Sequence, residues 1–271
     1  MWRPSQDIGG YRSMSRIHEA FENKKAFIPF ITAGDPDLNT TAELLVAVAE
    51  AGADLIEVGI PFSDPTAEGP VIQESDERAL AAGCTTDKLF AMLSQVRPKL
   101  DIPVVFMTYM NPVFTYGKER FLQKCVEVGM DGIIIPDLPY EEKDEMSGLC
   151  DTYGVDLISL VAPTSHERIR MIAGEAKGFL YLVSSLGVTG VRKEITTDIG
   201  EMVALAREAS DMPCAVGFGI STPEQAKKMA AVSDGAIVGS AIVRMIGQYG
   251  KDCVEPVRQY VKEMKAAVNE A

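Results

Sequence analysis

Two carboxyl groups stand where acid/base chemistry is feasible without a metal or an imidazole. Glu57 lies inside the apolar run Asp54-Leu-Ile-Glu-Val-Gly59. In an extended strand its side chain points away from the face of Ile56 and Val58. A carboxyl group in an apolar setting is pushed towards its neutral form, which suits proton transfer near neutral pH. Asp64 and Glu68 follow on Ile60-Pro-Phe-Ser-Asp-Pro-Thr-Ala-Glu-Gly-Pro70, a segment stiffened by Pro61, Pro65 and Pro70. One acid in a strand and another on a rigid loop beside it place two carboxyl groups over one pocket. Such pairs also serve glycosidases and structural ion pairs.

Glycines gather late in the chain, in Ser184-Ser-Leu-Gly-Val-Thr-Gly190, Val216-Gly-Phe-Gly-Ile-Ser221 and Val238-Gly-Ser-Ala241, the last of which opens a short helix. Glycine lets backbone amides approach a phosphate closely, and a helix N-terminus adds a favourable dipole. Three such loops converging read as a phosphate site; tight turns without a ligand are the alternative. Phe30, Tyr109, Tyr181 and Phe218 offer a surface for a flat apolar group, although each taken singly reads as core.

Those residues need a scaffold, and the chain supplies a repeating one. Eight apolar runs are predicted as strands: 26–32, 55–59, 104–109, 132–136, 157–162, 179–184, 214–217 and 236–238. Helical periodicity is predicted between them over 39–51, 86–97, 118–128, 142–153, 167–176, 198–210 and 223–231, with a closing helix near 256–269. Asn39 and Thr40 are read as N-cap oxygens for the first of these. Ser221-Thr-Pro-Glu224 starts another, and Gly52, Gly129 and Gly154 fall just past helix ends. The strands are continuous apolar runs, as in a parallel sheet covered on both faces. The first is followed by Ala33-Gly-Asp-Pro36, not by the glycine fingerprint of a dinucleotide fold. The expected architecture is α/β: a single (β/α)8 TIM barrel with an extra N-terminal helix beginning near Met14. Residues 14–271 form the one domain and residues 1–13 a disordered extension. Active sites of this fold lie at the C-terminal ends of the strands, so charges inside or just after a strand are the ones that matter.

Composition removes several function classes. A formal net charge of −13 with no basic cluster argues against nucleic acid. Cys84, Cys125, Cys150, Cys214 and Cys253 are dispersed singly, which fits a reducing compartment and neither disulfides nor a zinc cluster. His18 and His166 are far apart and read as surface residues, so the catalyst must be carboxylate or tyrosine. No apolar run approaches the roughly 18 residues of a membrane span, and the first 13 residues hold no secretory segment. The expected location is cytoplasmic.

From about Met14 to the closing helix the chain resembles the tryptophan synthase α-subunit family. The resemblance rests on Pro29-Phe-Ile-Thr-Ala-Gly-Asp-Pro36, Leu55-Ile-Glu-Val-Gly-Ile-Pro-Phe-Ser-Asp-Pro65, Gly69-Pro-Val-Ile-Gln73, Tyr109-Met-Asn-Pro112, the stretch from Tyr181 to Gly190, and Gly217-Phe-Gly-Ile-Ser221. It implies a retro-aldol cleavage of indole-3-glycerol phosphate to indole and glyceraldehyde 3-phosphate. Glu57 matches the family's catalytic glutamate and Glu68 the carboxylate that accepts the indole N–H. Phe30, Tyr109, Tyr181 and Phe218 match the indole pocket. Gly190, Gly219, Gly239 and Ser240 match the phosphate site, and Thr189 a closing loop. Pro61 to Asp64 match the surface for a β subunit in an α2β2 assembly. The resemblance implies no metal and no cofactor in this chain, with pyridoxal phosphate in the partner.

The chain departs from the family at one position. The usual Ala-Asp-Gly-Pro is Ala67-Glu-Gly-Pro70 here, and the extra methylene extends the carboxylate by about 1.5 Å. The same residues would serve a stand-alone lyase that releases free indole. A non-catalytic subunit that only activates a β-type partner, and another phosphosugar barrel enzyme, are the remaining alternatives.

Overall fold

A computed structural model describes residues 16–184, 198–217 and 219–271. The expected extension over residues 1–13 and three expected site residues, Thr189, Gly190 and Phe218, lie outside the described residues. The strands are β1 (Ala26–Thr32), β2 (Ile56–Gly59), β3 (Val104–Met107), β4 (Gly132–Ile134), β5 (Asp156–Val161), β6 (Leu180–Val183), β7 (Cys214–Gly217) and β8 (Gly235–Val238). All pair in parallel with their sequence neighbours, and β1 with β8, to close one barrel.

The helices are α1 (Arg16–Glu19), α2 (Leu38–Glu50), α3 (Pro70–Ala81), α4 (Thr86–Val96), α5 (Met110–Tyr116), α6 (Lys118–Val128), α7 (Asp144–Tyr153), α8 (His166–Gly174), α9 (Ile199–Arg207), α10 (Pro223–Val232), α11 (Ser240–Tyr249) and α12 (Val254–Asn269). Two of them, α3 and α5, were not predicted. Both contain proline and have a weak apolar stripe, so periodicity does not reveal them.

Two caps differ from the sequence reading. The helix α2 begins at Leu38, so its cap is Asp37, whose Oδ1 accepts the Thr40 N–H at 2.8 Å. Asn39 and Thr40 are already inside the first turn. The helix α10 is capped by Thr222 in a reciprocal box with Gln225, not by Ser221 with Glu224. Gly129 and Gly154 end α6 and α7 in the left-handed conformation that glycine adopts at no steric cost.

Strand alternation sorts the core into two layers. Phe27, Ile31, Ile56 and Val58 face outward onto the helices. Ala26, Ile28, Phe30, Leu55, Val105, Ile134, Ile158, Tyr181 and Ile237 fill the barrel, with Ile17 and Phe21 of the N-terminal segment among them. The Phe21 and Phe179 rings lie 5.6 Å apart. The short α1 thus contributes to the closure of the barrel's N-terminal end.

That end is tied together by aspartates placed just before even-numbered strands. Asp54 accepts the Phe27 N–H (2.8 Å) and pairs with Lys265 (2.7 Å) and Lys24 (3.0 Å). Asp131 accepts the Val104 N–H and pairs with Arg97, each at 2.8 Å. The other Arg97 nitrogens donate to the Gly129 and Leu100 carbonyls. Asp234 accepts the Cys214 N–H and pairs with Arg207, each at 2.9 Å.

Candidate active site

Glu57 sits in β2 in register with Phe30 of β1 on one side and Val105 of β3 on the other. Its neighbours Ile56 and Val58 take the outward positions, so alternation turns the carboxyl into the barrel. It is fully buried, and neither oxygen has a hydrogen-bond partner among the described residues. Burial first, then the nearby Glu68, holds the Glu57 carboxyl well above the ordinary carboxylate range. A buried carboxyl with no cation beside it resists ionisation, which makes it a proton carrier near neutral pH.

A cleft opens over this group. Its lining brings together Phe30, Glu57, Glu68, Tyr181, Gly219, Gly239 and Ser240 from the expected set. Ile72, Met107, Ile220 and Ile237 complete it and were not foreseen; alternation along β3 and β8 is the signal that would have found Met107 and Ile237. Two glycines give the aromatic walls their room. A Cβ on Gly59 would lie 2.5 Å from the Phe30 ring, and one on Gly217 would lie 2.3 Å from the Tyr181 hydroxyl. The Tyr181 hydroxyl is raised above its usual range by burial, then by Glu57 and Glu68. Phe30, Tyr181 and both carboxyl groups therefore share one chamber.

Glu68 is buried on the loop between β2 and α3. Three contacts fix that loop. The Tyr109 hydroxyl accepts the Ala67 N–H at 3.1 Å, Gln73 Nε2 donates to the Glu68 carbonyl at 2.7 Å, and the Phe62 and Tyr109 rings lie 5.6 Å apart. Tyr109 is thus a support behind the loop and is not among the residues lining the cleft. The chain leaves β3 at Met107, and Tyr109 becomes the residue before α5. Burial, then Glu68, raises its hydroxyl above the usual range. The helix α3 is pinned to the β1 end by Thr32–Ser75 (2.7 Å) and by a two-pronged Arg78–Asp35 pair (2.9 and 2.8 Å).

The far end of the cleft is polar backbone. Gly219 adopts φ +82°, and Gly239 precedes α11 with no side-chain cap and no acid in the first turn. The first amides of a helix have no intrahelical partner, so they are free to meet an anion. A Cβ on Gly239 would meet only ordinary contacts with Phe30, at 3.5 Å, so packing does not demand glycine there. Of the expected partner surface, Asp64 is exposed while Pro61 is buried. Among the described residues no group of three or more His, Cys, Asp and Glu is placed to hold a metal ion.

The geometry so far describes a chamber with a buried acid that lacks partners, a second carboxyl group, two aromatic walls and an anion-ready end. Comparison with known proteins narrows it. The family model described as tryptophan synthase alpha chain matches residues 17–269. The tryptophan synthase alpha chain of Lacticaseibacillus casei is 46% identical over 94% of this chain and 96% of its own length. That of Caldanaerobacter subterraneus subsp. tengcongensis is 49% identical over 93% and 99%. Among solved structures, tryptophan synthase subunit alpha from Legionella pneumophila superposes with a TM-score of 0.87 at 39% identity, covering 96% of this chain and all of that one. A chain of the tryptophan synthase complex from Pyrococcus furiosus gives 0.80 at 36% identity, covering 89% and 98%.

Proposed function

The chain belongs to the tryptophan synthase alpha chain family, and on that premise we propose that Glu57 moves the protons of its reaction while Glu68 holds the indole N–H. The alpha reaction is a carbon–carbon lyase step in tryptophan biosynthesis, the retro-aldol cleavage of indole-3-glycerol phosphate to indole and glyceraldehyde 3-phosphate. A proton is added to indole C3, and the hydroxyl on the adjoining glycerol carbon loses one. The bond between the two carbons breaks, its electron pair returns to the ring and the carbonyl of the aldehyde forms. One proton enters and one leaves, so a single group serves both transfers.

Glu57 is the group suited to that task. The observation that carries the assignment is its pair of buried oxygens without partners, facing the cleft. The Glu68 carboxylate accepts the indole N–H, and its charge stabilises the positive ring formed when C3 is protonated. Phe30 and Tyr181 clasp the indole. Gly219, Gly239 and Ser240 take the phosphate, and the resemblance adds Gly190 to them and Thr189 to the residues that meet the substrate. Glutamate at 68, one methylene longer than the family's usual aspartate, fills the same role.

A β subunit is the partner in this reading, in an α2β2 assembly, and the Pyrococcus furiosus relative, a tryptophan synthase complex, supports it. Indole passes to that subunit, whose pyridoxal phosphate supplies the later chemistry; this chain carries no cofactor. The partner meets the loop that bears exposed Asp64 and half-buried Phe62. No helix among the described residues is long and apolar enough to cross a membrane, in keeping with a cytoplasmic enzyme.

The test is cleavage of indole-3-glycerol phosphate, followed as glyceraldehyde 3-phosphate, with and without a β subunit from the same source. Slow cleavage that rises sharply with β is expected, and Glu57→Gln abolishes both rates. Brisk cleavage indifferent to β would mark a stand-alone lyase. No cleavage in either condition would leave a non-catalytic subunit.

A further inference from the structure

The two ends of the site are carried by two helices, and one guanidinium lies between them. The helix α3 starts at Pro70, directly after Glu68 and Gly69, and α11 starts at Ser240, directly after Gly239. The strands that lead into them, β2 and β8, flank β1. The turn that follows β1 therefore lies between the two helices, and it carries Asp35, which is fully buried. Arg78, in the last turn of α3, reaches that carboxylate with two prongs, Nε to Oδ1 at 2.9 Å and Nη2 to Oδ2 at 2.8 Å. Ser75, about one turn earlier, meets Thr32 at the end of β1 at 2.7 Å.

The same guanidinium rests on α11. A Cβ placed on Gly247 would lie 2.9 Å from Arg78 Nη2, 3.2 Å from its Cζ and 3.4 Å from its Nη1. Gly247 stands inside α11, where glycine weakens a helix relative to alanine, so its place there needs a packing reason. The guanidinium supplies one. A loose arginine would swing away from a methyl group. This one is held by both prongs on a buried carboxylate, so a methyl group on Gly247 must displace the ion pair or push α11 away from α3. Gly34, at φ +89° in the turn after β1, allows a second close approach. A Cβ there would lie 2.6 Å from the Cys84 Cβ, just beyond α3, and 3.3 Å from the Ala79 Cβ. The turn is thus pressed onto the C-terminal part of α3, and Arg78 bridges from there to α11.

We propose that Arg78 is a positioning residue that sets the span between Glu68 and the phosphate-binding amides of α11: held by Asp35 and seated on Gly247, it fixes the spacing of the two helices that follow them. The proposal rests on the roles given to Glu68, Gly239 and Ser240 above. A substrate held at both ends gains from the second contact only if the two half-sites stand at the distance its own bonds dictate. The separate pieces, indole and glycerol 3-phosphate, carry no such requirement, because each meets one half-site. A wrong span therefore weakens the whole substrate and its cleavage while each piece binds as before. A general loss of structure would weaken all three together.

The experiment compares the unmodified chain, Gly247→Ala, Arg78→Lys and the double variant, each in complex with the β subunit. It reads kcat and KM for cleavage of indole-3-glycerol phosphate, followed as glyceraldehyde 3-phosphate, and the inhibition constants of indole and of glycerol 3-phosphate against that cleavage. Gly247→Ala is expected to lower kcat/KM about tenfold, with both inhibition constants within about twofold of the unmodified values. Arg78→Lys keeps a cation on Asp35 but gives up the broad guanidinium, which leaves room for the methyl group. Gly247→Ala should therefore cost about threefold or less in that background, the non-additivity expected of two groups in contact. An unchanged kcat/KM in Gly247→Ala would overturn the proposal. So would inhibition constants that rise in step with the loss of cleavage, or an equal cost of Gly247→Ala in both backgrounds. Absence of cleavage by the unmodified complex would instead sink the functional reading, and the proposal with it.

Discussion

The two ends of this barrel treat carboxyl groups in opposite ways. At the N-terminal end Asp54, Asp131 and Asp234 each accept a strand N–H and face a lysine or arginine within 3.0 Å. At the C-terminal end Glu57 has neither an amide nor a cation among the described residues, and its nearest charged company is another acid. Burying an ion costs several kcal/mol that a cation and hydrogen bonds offset. Where nothing offsets it, the cost reappears as proton affinity. Fixed charges therefore tie the strands at one end, while at the other Asp35 keeps its arginine and Glu57 has no cation to favour its ionised form. The fold is stabilised at one end and made reactive at the other.

The comparison is broken most severely by changing Glu57. Glu57→Gln removes the proton carrier but keeps the shape, and cleavage should fall by about 10³-fold or more, within the range of general acid/base effects. The variant should be no less stable than the unmodified chain, because an amide sits in an apolar setting without an ionisation to suppress. The pH dependence has a fixed sign. The native carboxyl holds its proton above the pH at which the unfolded one releases it, so unfolding free energy falls as pH rises from about 4.5 towards the native value. Denaturant titrations from pH 5 to 8 should show a shallower decline for Glu57→Gln. A variant that unfolds more easily and cleaves normally would reverse the assignment of the two ends.

A matching change at the N-terminal end should produce the opposite pair of effects. Asp131→Ala strips the buried Arg97 guanidinium of its carboxylate and the Val104 N–H of its acceptor. Removing one partner of a buried pair costs about 3–5 kcal/mol. The urea midpoint should drop accordingly, while kcat per folded molecule at low temperature stays as it was. Loss of kcat without loss of stability would show that the two ends are not separable.

How much of this was legible in the sequence depends on how local each signal is. Strand alternation over six residues sufficed for Glu57, because which face a strand residue takes is set by its immediate neighbours. Position near strand C-terminal ends picked out Phe30 and Tyr181, but reading the apolar run to residue 109 extended β3 two residues too far, and Tyr109 stands outside the cleft lining. Arg78 was invisible for a different reason. Its place depends on α3 being pinned by Ser75 to Thr32 and by its own pair with Asp35, contacts that span 43 residues of chain, and α3 itself has too weak an apolar stripe to be read. The aspartates of the N-terminal end stand in plain sight as Asp54, Asp131 and Asp234 just before strands. Their task requires knowing that the preceding strand's first amides lie beside them, which is topology and not pattern.

Smaller effects separate glycines that make room from glycines that meet substrate. Gly217→Ala would press a Cβ onto the Tyr181 hydroxyl, an overpacking worth about 1–3 kcal/mol, and should lower both stability and cleavage. Gly148, in α7, has nothing within 4 Å of where a Cβ would be. Alanine there should raise stability by up to about 1 kcal/mol through helix propensity and leave cleavage untouched.

Gly239→Ala is the finest discriminator. Its backbone φ of −113° is open to any residue, and a Cβ would make ordinary contacts, so stability should change by less than about 0.5 kcal/mol. A methyl group at the mouth of the unpaired α11 amides does obstruct a phosphate, so KM should rise several-fold with kcat less affected. A fall in melting temperature with KM unchanged would return Gly239 to the packing glycines and leave the phosphate to Gly219 and Ser240.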